Sequence, residues 1–283
     1  MPNAVSPAVA PNGSVERCPT APLTWLLVGP LGRESASWGA APQVILGQLQ
    51  TVQPRASLYE LDLPGTGRLW RERTPSQVSE WVEQLRSRVH ASGLRGPFGL
   101  IASSWASCVA AEWARQHADE LGVIVMLSPG MRPFSPVLRS VRPGFWTLAL
   151  AQVLGRRSPF ERDRRYWDTH TQLEHPPAEV LKHWRQLRRA HPFKARNGWR
   201  QMLAVWRFET TKRRPHTQVL LLAGKGDVWL DWRVSAAISR AWGAALRVHP
   251  EAGHDLLLDD PAWVARSVAE WLMPVGSGSL NST

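Results

Sequence analysis

Residues 98–115, FGLIASSWASCVAAEWAR, require an abrupt change of backbone. Phe98 to Ala102 is a continuous apolar run, as suits a strand buried on both faces. Beyond it, Val109, Ala110 and Trp113 fall at helical spacing. Between the two lies Ser103-Ser104-Trp105, so the chain turns sharply from strand to helix over a serine. A residue on such a turn is strained, and the residues two before and two after it press on neighbouring backbone, so both must be small. Ser104 meets this condition, with Ala102 and Ala106 as flanks. Ser103 would be flanked by Ile101 and Trp105, and Ser107 by Trp105 and Val109, and neither set fits.

A strand, a serine turn and a helix carrying A-x-S-x-A resemble the nucleophile elbow of the α/β-hydrolase superfamily, whose usual motif is G-x-S-x-G. Alanine stands for both glycines here. The resemblance implies an α/β fold, a mostly parallel sheet flanked by helices, with a helical cap inserted after the sixth strand. It also implies Ser104 as nucleophile.

The rest of the chain supplies the other strands. Thr24 to Gly29 (TWLLVG) is a buried strand ending in GPLG, and Ser57 to Asp62 (SLYELD) is another, leading into LPGTG. Asp62 is expected to form that turn by bonding nearby backbone rather than to act as an acid. Thr74-Pro75-Ser76-Gln77 reads as a capping box opening a helix with Val78, Trp81, Val82, Leu85 and Val89 on one face. Val123 to Leu127, Gln218 to Gly224 and Ala245 to Pro250 are further strands. Strands alternating with helices predict a parallel sheet, with ligands gathering at the carboxyl ends of its strands.

Residues 21–130 and 216–273 are therefore expected to form the core. Residues 131–215 contain no convincing strand, only helical pieces divided by Pro and Gly, and take the place of the cap. Within them, Phe145 to Leu154 is apolar over much of a helix surface, which suits core packing, a channel wall or a peripheral membrane contact. Residues 1–20 and 274–283 read as flexible tails.

Composition narrows the chemistry. Two cysteines, Cys18 and Cys108, are too few for a disulfide framework or a cysteine metal site, and a cytoplasmic setting is the default. No apolar run is long enough to span a bilayer. The net charge is +11, and residues 131–215 hold 19 Lys and Arg against 6 Asp and Glu. Such a segment attracts anionic ligands. The tryptophans mostly sit among apolar residues in helices, which argues against a stacking platform for nucleic acid.

Two more positions complete the resemblance. Asp227 lies in the turn after the strand Gln218 to Gly224, where these hydrolases place their acid; Asp231 competes for the role but suits the cap of the next helix better. His254 follows the last strand in G-H-D-x-x-x-D-D-P, at the family's histidine position, whereas His249 belongs to the strand itself. The order Ser104, Asp227, His254 is the superfamily's order. By position, the backbone N–H groups of Trp105 and Leu31 would form the oxyanion hole, although Pro30, which lacks an N–H, leaves the donor in that loop open. The implied activity is hydrolysis of a carboxylic ester or thioester of an apolar acyl group, without metal or other cofactor. The basic segment leaves room for an anionic carrier or headgroup on the substrate. Acyl transfer by the same residues, or a binding protein that keeps the fold, are the alternatives.

Overall fold

The computed structural model describes residues 22–135 and 159–273. Its sheet is built from β1 (Thr24–Val28), β2 (Ser57–Leu61), β3 (Phe98–Ser103), β4 (Leu121–Leu127), β5 (Gln218–Gly224) and β6 (Ala245–His249). All pair in parallel, in the order β2-β1-β3-β4-β5-β6. The helix expected over Phe145 to Leu154 and both expected tails lie outside the described residues.

Apolar runs make central strands because a parallel sheet is covered on both faces, and alternate side chains feed two cores. Leu26, Leu100, Ala102, Ile124 and Met126 face one, against α2 (Val78–Ala91), α3 (Ser107–Gln116) and the helix Trp232–Trp242. Trp25, Leu27, Ile101, Val123 and Val125 face the other, against α1 (Ala41–Val52) and the helix Pro261–Leu272. Every residue of β3 is buried, whereas β2 is an edge strand with Tyr59 exposed.

Tryptophan fills much of this core. Trp25, Trp81, Trp113, Trp184 and Trp242 are fully buried. Each removes about 150–250 Å² from water, an upper-bound gain of roughly 4–6 kcal/mol per ring. Trp199 and Trp206 are the reverse, both exposed on one helix.

The expected capping box does not form. Gln77 is the N-cap residue of α2 and no side chain bonds there. Thr74 is committed elsewhere: its hydroxyl donates to the Pro64 carbonyl and its N–H to Asn197 Oδ1, tying the loop to a later helix. Asp62 does form its turn, accepting from the N–H groups of Ser35 and Arg68.

Between β4 and β5, and so after the fourth of the described strands and not after the sixth, run α4 (Pro159–His170), α5 (Ala178–Ala190) and α6 (Ala195–Arg207). They dock on loops at the carboxyl ends of the strands. Trp184 Nε1 of α5 donates to the Ser37 carbonyl, Asn197 of α6 donates to those of Gly65 and Glu72, and Tyr166 of α4 donates to Asp255. Among the described residues the remaining α-helices are α7 (Trp232–Trp242), the single turn α8 (Leu256–Asp259) and α9 (Pro261–Leu272). Among the described residues, no helix is long and apolar enough to cross a membrane.

One polar cluster ties α2 to the turn before β4. Glu120 receives Arg86 at 2.6 and 2.8 Å and Trp113 Nε1 at 2.9 Å, with His90 at 3.2 Å. The Arg86 hydrogen bond, against the opposing effect of partial burial, holds its pKa down at about 2. A depressed carboxylate contributes stability that is present above its unfolded value and is lost as pH falls through the folded one. Glu120→Gln is therefore expected to cost about 1–2 kcal/mol at pH 7, allowing for solvent screening. Urea titrations should show that cost fading between pH 4.5 and about 2.

Candidate active site

Ser104 follows β3 with φ 56°, in the left-handed region that a serine adopts at a cost of roughly 1–3 kcal/mol. Ala102 and Ala106 on either side are fully buried, leaving no room for larger flanks. The chain then continues into α3, with Ser107 Oγ 3.4 Å from the Ala102 carbonyl.

Asp227 lies in the turn after β5 and is buried. One carboxylate oxygen accepts from the N–H groups of Trp229 (2.7 Å) and Leu230 (2.9 Å), which fixes the side chain. The other accepts from His254 Nδ1 at 2.7 Å. Asp231 instead caps α7, accepting from the Arg233 N–H.

His254 sits in the loop after β6. Gly224 permits that loop's approach, because a Cβ there would collide with the carbonyls of Ala252 and Gly253. The loop is pinned by Gly253 N–H to Asp259 (2.6 Å) and by Asp255 N–H to the His170 carbonyl (2.7 Å). His254 Nε2 then lies 2.7 Å from Ser104 Oγ. Since Nδ1 carries the proton donated to Asp227, Nε2 is the acceptor and the Ser104 hydroxyl donates. His249 serves the turn instead, its Nδ1 accepting from the N–H groups of Glu251 and Ala252.

The electrostatics make this imidazole more basic. Burial pulls the His254 pKa down, but the charge and hydrogen bond of Asp227, helped by Asp255, together outweigh it, and the net shift is upward.

At the other loop, the Gly32 N–H donates to Gln201 Oε1 (2.9 Å) and the Arg33 N–H to the Pro30 carbonyl (3.4 Å). Among the described residues the Leu31 N–H has no partner. The Trp105 ring packs against the first core, beside Gly130.

Several residues at the site had not been singled out. His170, the last residue of α4, lies edge-on to the His254 ring with centroids 5.4 Å apart. It stacks on Tyr166 at 3.9 Å. Burial, then the His254 charge, push its pKa well down against a raising bond to the Tyr166 carbonyl, so it stays neutral while His254 titrates. The Tyr166 hydroxyl and Trp38 Nε1 both donate to the buried Asp255, at 3.0 Å each. The spacing of Tyr166 and His170, four apart on one helical face, was a usable signal. Which structure that face would meet was not.

Comparison with known proteins agrees with this architecture. The model of the alpha/beta hydrolase family matches residues 21–267, and the chain belongs to that family. No curated protein sequence matches it. Among solved structures it is similar to a membrane phospholipase A described as a bacterial virulence factor, with 20% identity, TM-score 0.69, and coverage of 92% of this chain and 80% of that one. It is also similar to a thermophilic esterase from Thermogutta terrifontis, with 22% identity, TM-score 0.65, and coverage of 89% and 90%. A third is the 2-hydroxy-6-oxo-6-phenylhexa-2,4-dienoate hydrolase of Rhodococcus sp. strain RHA1, with 16% identity, TM-score 0.69, and coverage of 88% and 90%. At these identities the likeness is one of fold.

Proposed function

We propose that the chain is a serine hydrolase that cleaves a carboxylic ester or thioester with an apolar acyl group through an acyl-Ser104 intermediate. The hydrogen-bonded chain Asp227, His254, Ser104 on a strained strand-to-helix turn carries this reading. Serine is a weak nucleophile and needs a base in hydrogen-bond reach. His254 Nε2 takes the Ser104 proton as Oγ bonds to the carbonyl carbon, then gives it to the leaving oxygen or sulfur as that bond breaks. Water repeats the sequence in reverse roles, delivering its proton to His254 and releasing the acid. Asp227 holds the tautomer and stabilises the imidazolium.

Negative charge on the attacked oxygen is met by the N–H groups of Leu31 and Trp105. Leu31 is favoured in its loop because Pro30 has no N–H and that of Gly32 is engaged. Each donor is worth about 3 to 4 kcal/mol in the transition state. Residues 131–215 act as the cap of the site, and their basic excess suits a substrate with an anionic carrier.

Transfer of the acyl group to an alcohol would use the same residues. Purified protein is expected to release p-nitrophenol from short p-nitrophenyl esters with the free acid as co-product. Quantifying that acid with and without added alcohol separates the two chemistries: an acceptor ester as the main product would make it a transferase. A well-folded protein with no turnover of any ester would leave the ligand-binding alternative.

A further inference from the structure

The loop that carries Leu31 also carries a guanidinium with unusual surroundings. Arg33 packs into the corner made by two aromatic rings that stand nearly perpendicular, 85° with centres 5.7 Å apart; its Cζ is 4.2 Å from the centre of Tyr166 and 3.9 Å from that of Trp184. The side chain is 18% exposed, and it helps line a cleft of about 90 Å³ together with Glu34, Thr66, Gly67, Trp184, Arg188 and His191.

The neighbouring carboxylates are occupied by other donors. Asp163 is 3.9 Å from Arg33 but takes two bonds from Arg188, at 2.5 and 2.7 Å. Glu34 pairs with His191 at 2.8 Å, and Asp255 receives Trp38 and Tyr166. Among the described residues the buried Arg33 Nε has no partner at all. A charged group left short of hydrogen bonds beside a cavity calls for an explanation.

We propose that Arg33 and this cleft bind an oxyanion group of the substrate, a carboxylate or a phosphate, so that the enzyme acts on acidic esters; this rests on the hydrolase reading above. The cleft is large enough to admit such a group. A guanidinium packed into the corner of two rings is already restrained, so less freedom is lost when it bonds an oxyanion. The position suits a substrate-orienting role. Arg33 is two residues beyond Leu31, and Tyr166 touches both its guanidinium and His170, which in turn borders His254.

The test compares kcat/KM for a dicarboxylic half ester and for an ester of a phosphorylated alcohol, each against a neutral ester of equal length. At least one acidic ester is expected to be preferred by about ten- to hundredfold, the strength of a hydrogen bond to a charged group, mainly through KM. The ester that responds identifies the oxyanion. Arg33→Met should bring the ratio towards one, and Arg33→Lys should leave an intermediate ratio. No preference in the wild type for either acidic ester, or a ratio unchanged in a folded Arg33→Met protein, overturns the proposal. If Met is not tolerated, the wild-type ratio and the Lys variant decide. If no ester at all is hydrolysed, the hydrolase reading fails by itself, and calorimetric titration of the wild type with glutarate and inorganic phosphate still judges the cleft: binding weakened by Arg33→Lys keeps it, and no binding removes it.

Discussion

His254→Ala is expected to lower kcat/KM for a p-nitrophenyl ester by about 10⁵ to 10⁶-fold while leaving the protein folded. The imidazole is the only group bonded to the Ser104 hydroxyl among the described residues, and without it the proton has no acceptor in the transition state. Ser104→Ala should cost about as much, and the double variant should cost scarcely more, because nucleophile and base act as one unit. Circular dichroism checks that the loss is chemical. A His254→Ala enzyme within tenfold of wild type would mean that another group activates Ser104.

Asp227→Asn is expected to reduce kcat by about 10⁴-fold with near-native geometry. Its Oδ1 position can still accept from Trp229 and Leu230, so the turn survives. The amide then presents a donor to Nδ1, which forces the ring proton onto Nε2, where it cannot receive the proton of Ser104. The pH profile should change too. His254 works as a base only when neutral, and its pKa is raised, so wild-type kcat/KM should climb with pH through a value above the ordinary 6.5. Without the Asp227 charge and bond, burial dominates and this limb should move to lower pH. An unchanged limb in the variant would show that Asp227 does not set the charge of the ring. The raised pKa has a stability counterpart: the favourable contribution of His254 is complete below its unfolded value and is lost as pH rises through the folded one.

The parts of this protein that were legible in its sequence are those that local chemistry decides. Continuous apolar runs such as LLLAG in β5 can only be buried strands, and Ala102 and Ala106 identify Ser104 because of space within two residues of it. Asp260 with Pro261 announces α9, and the Asp260 carboxylate accepts from the Trp263 N–H. What could not be read depends on partners distant in sequence. Thr74 looked like a cap, yet its bonds go to Pro64 and Asn197, and the latter is more than a hundred residues away. The roles of Tyr166, His170 and Arg33 arise only when α4 and α5 settle on the loops around His254 and Leu31. Helical periodicity shows that such helices have faces, but not which loop each face will cover.

The most direct test of the account is labelling with a fluorophosphonate followed by peptide mass spectrometry. One adduct per chain on the peptide containing Ser104, absent from Ser104→Ala and strongly slowed in His254→Ala, is the predicted result. A folded wild type that takes up no label, or takes it up at another residue, would contradict the claim that His254 turns the Ser104 hydroxyl into a nucleophile.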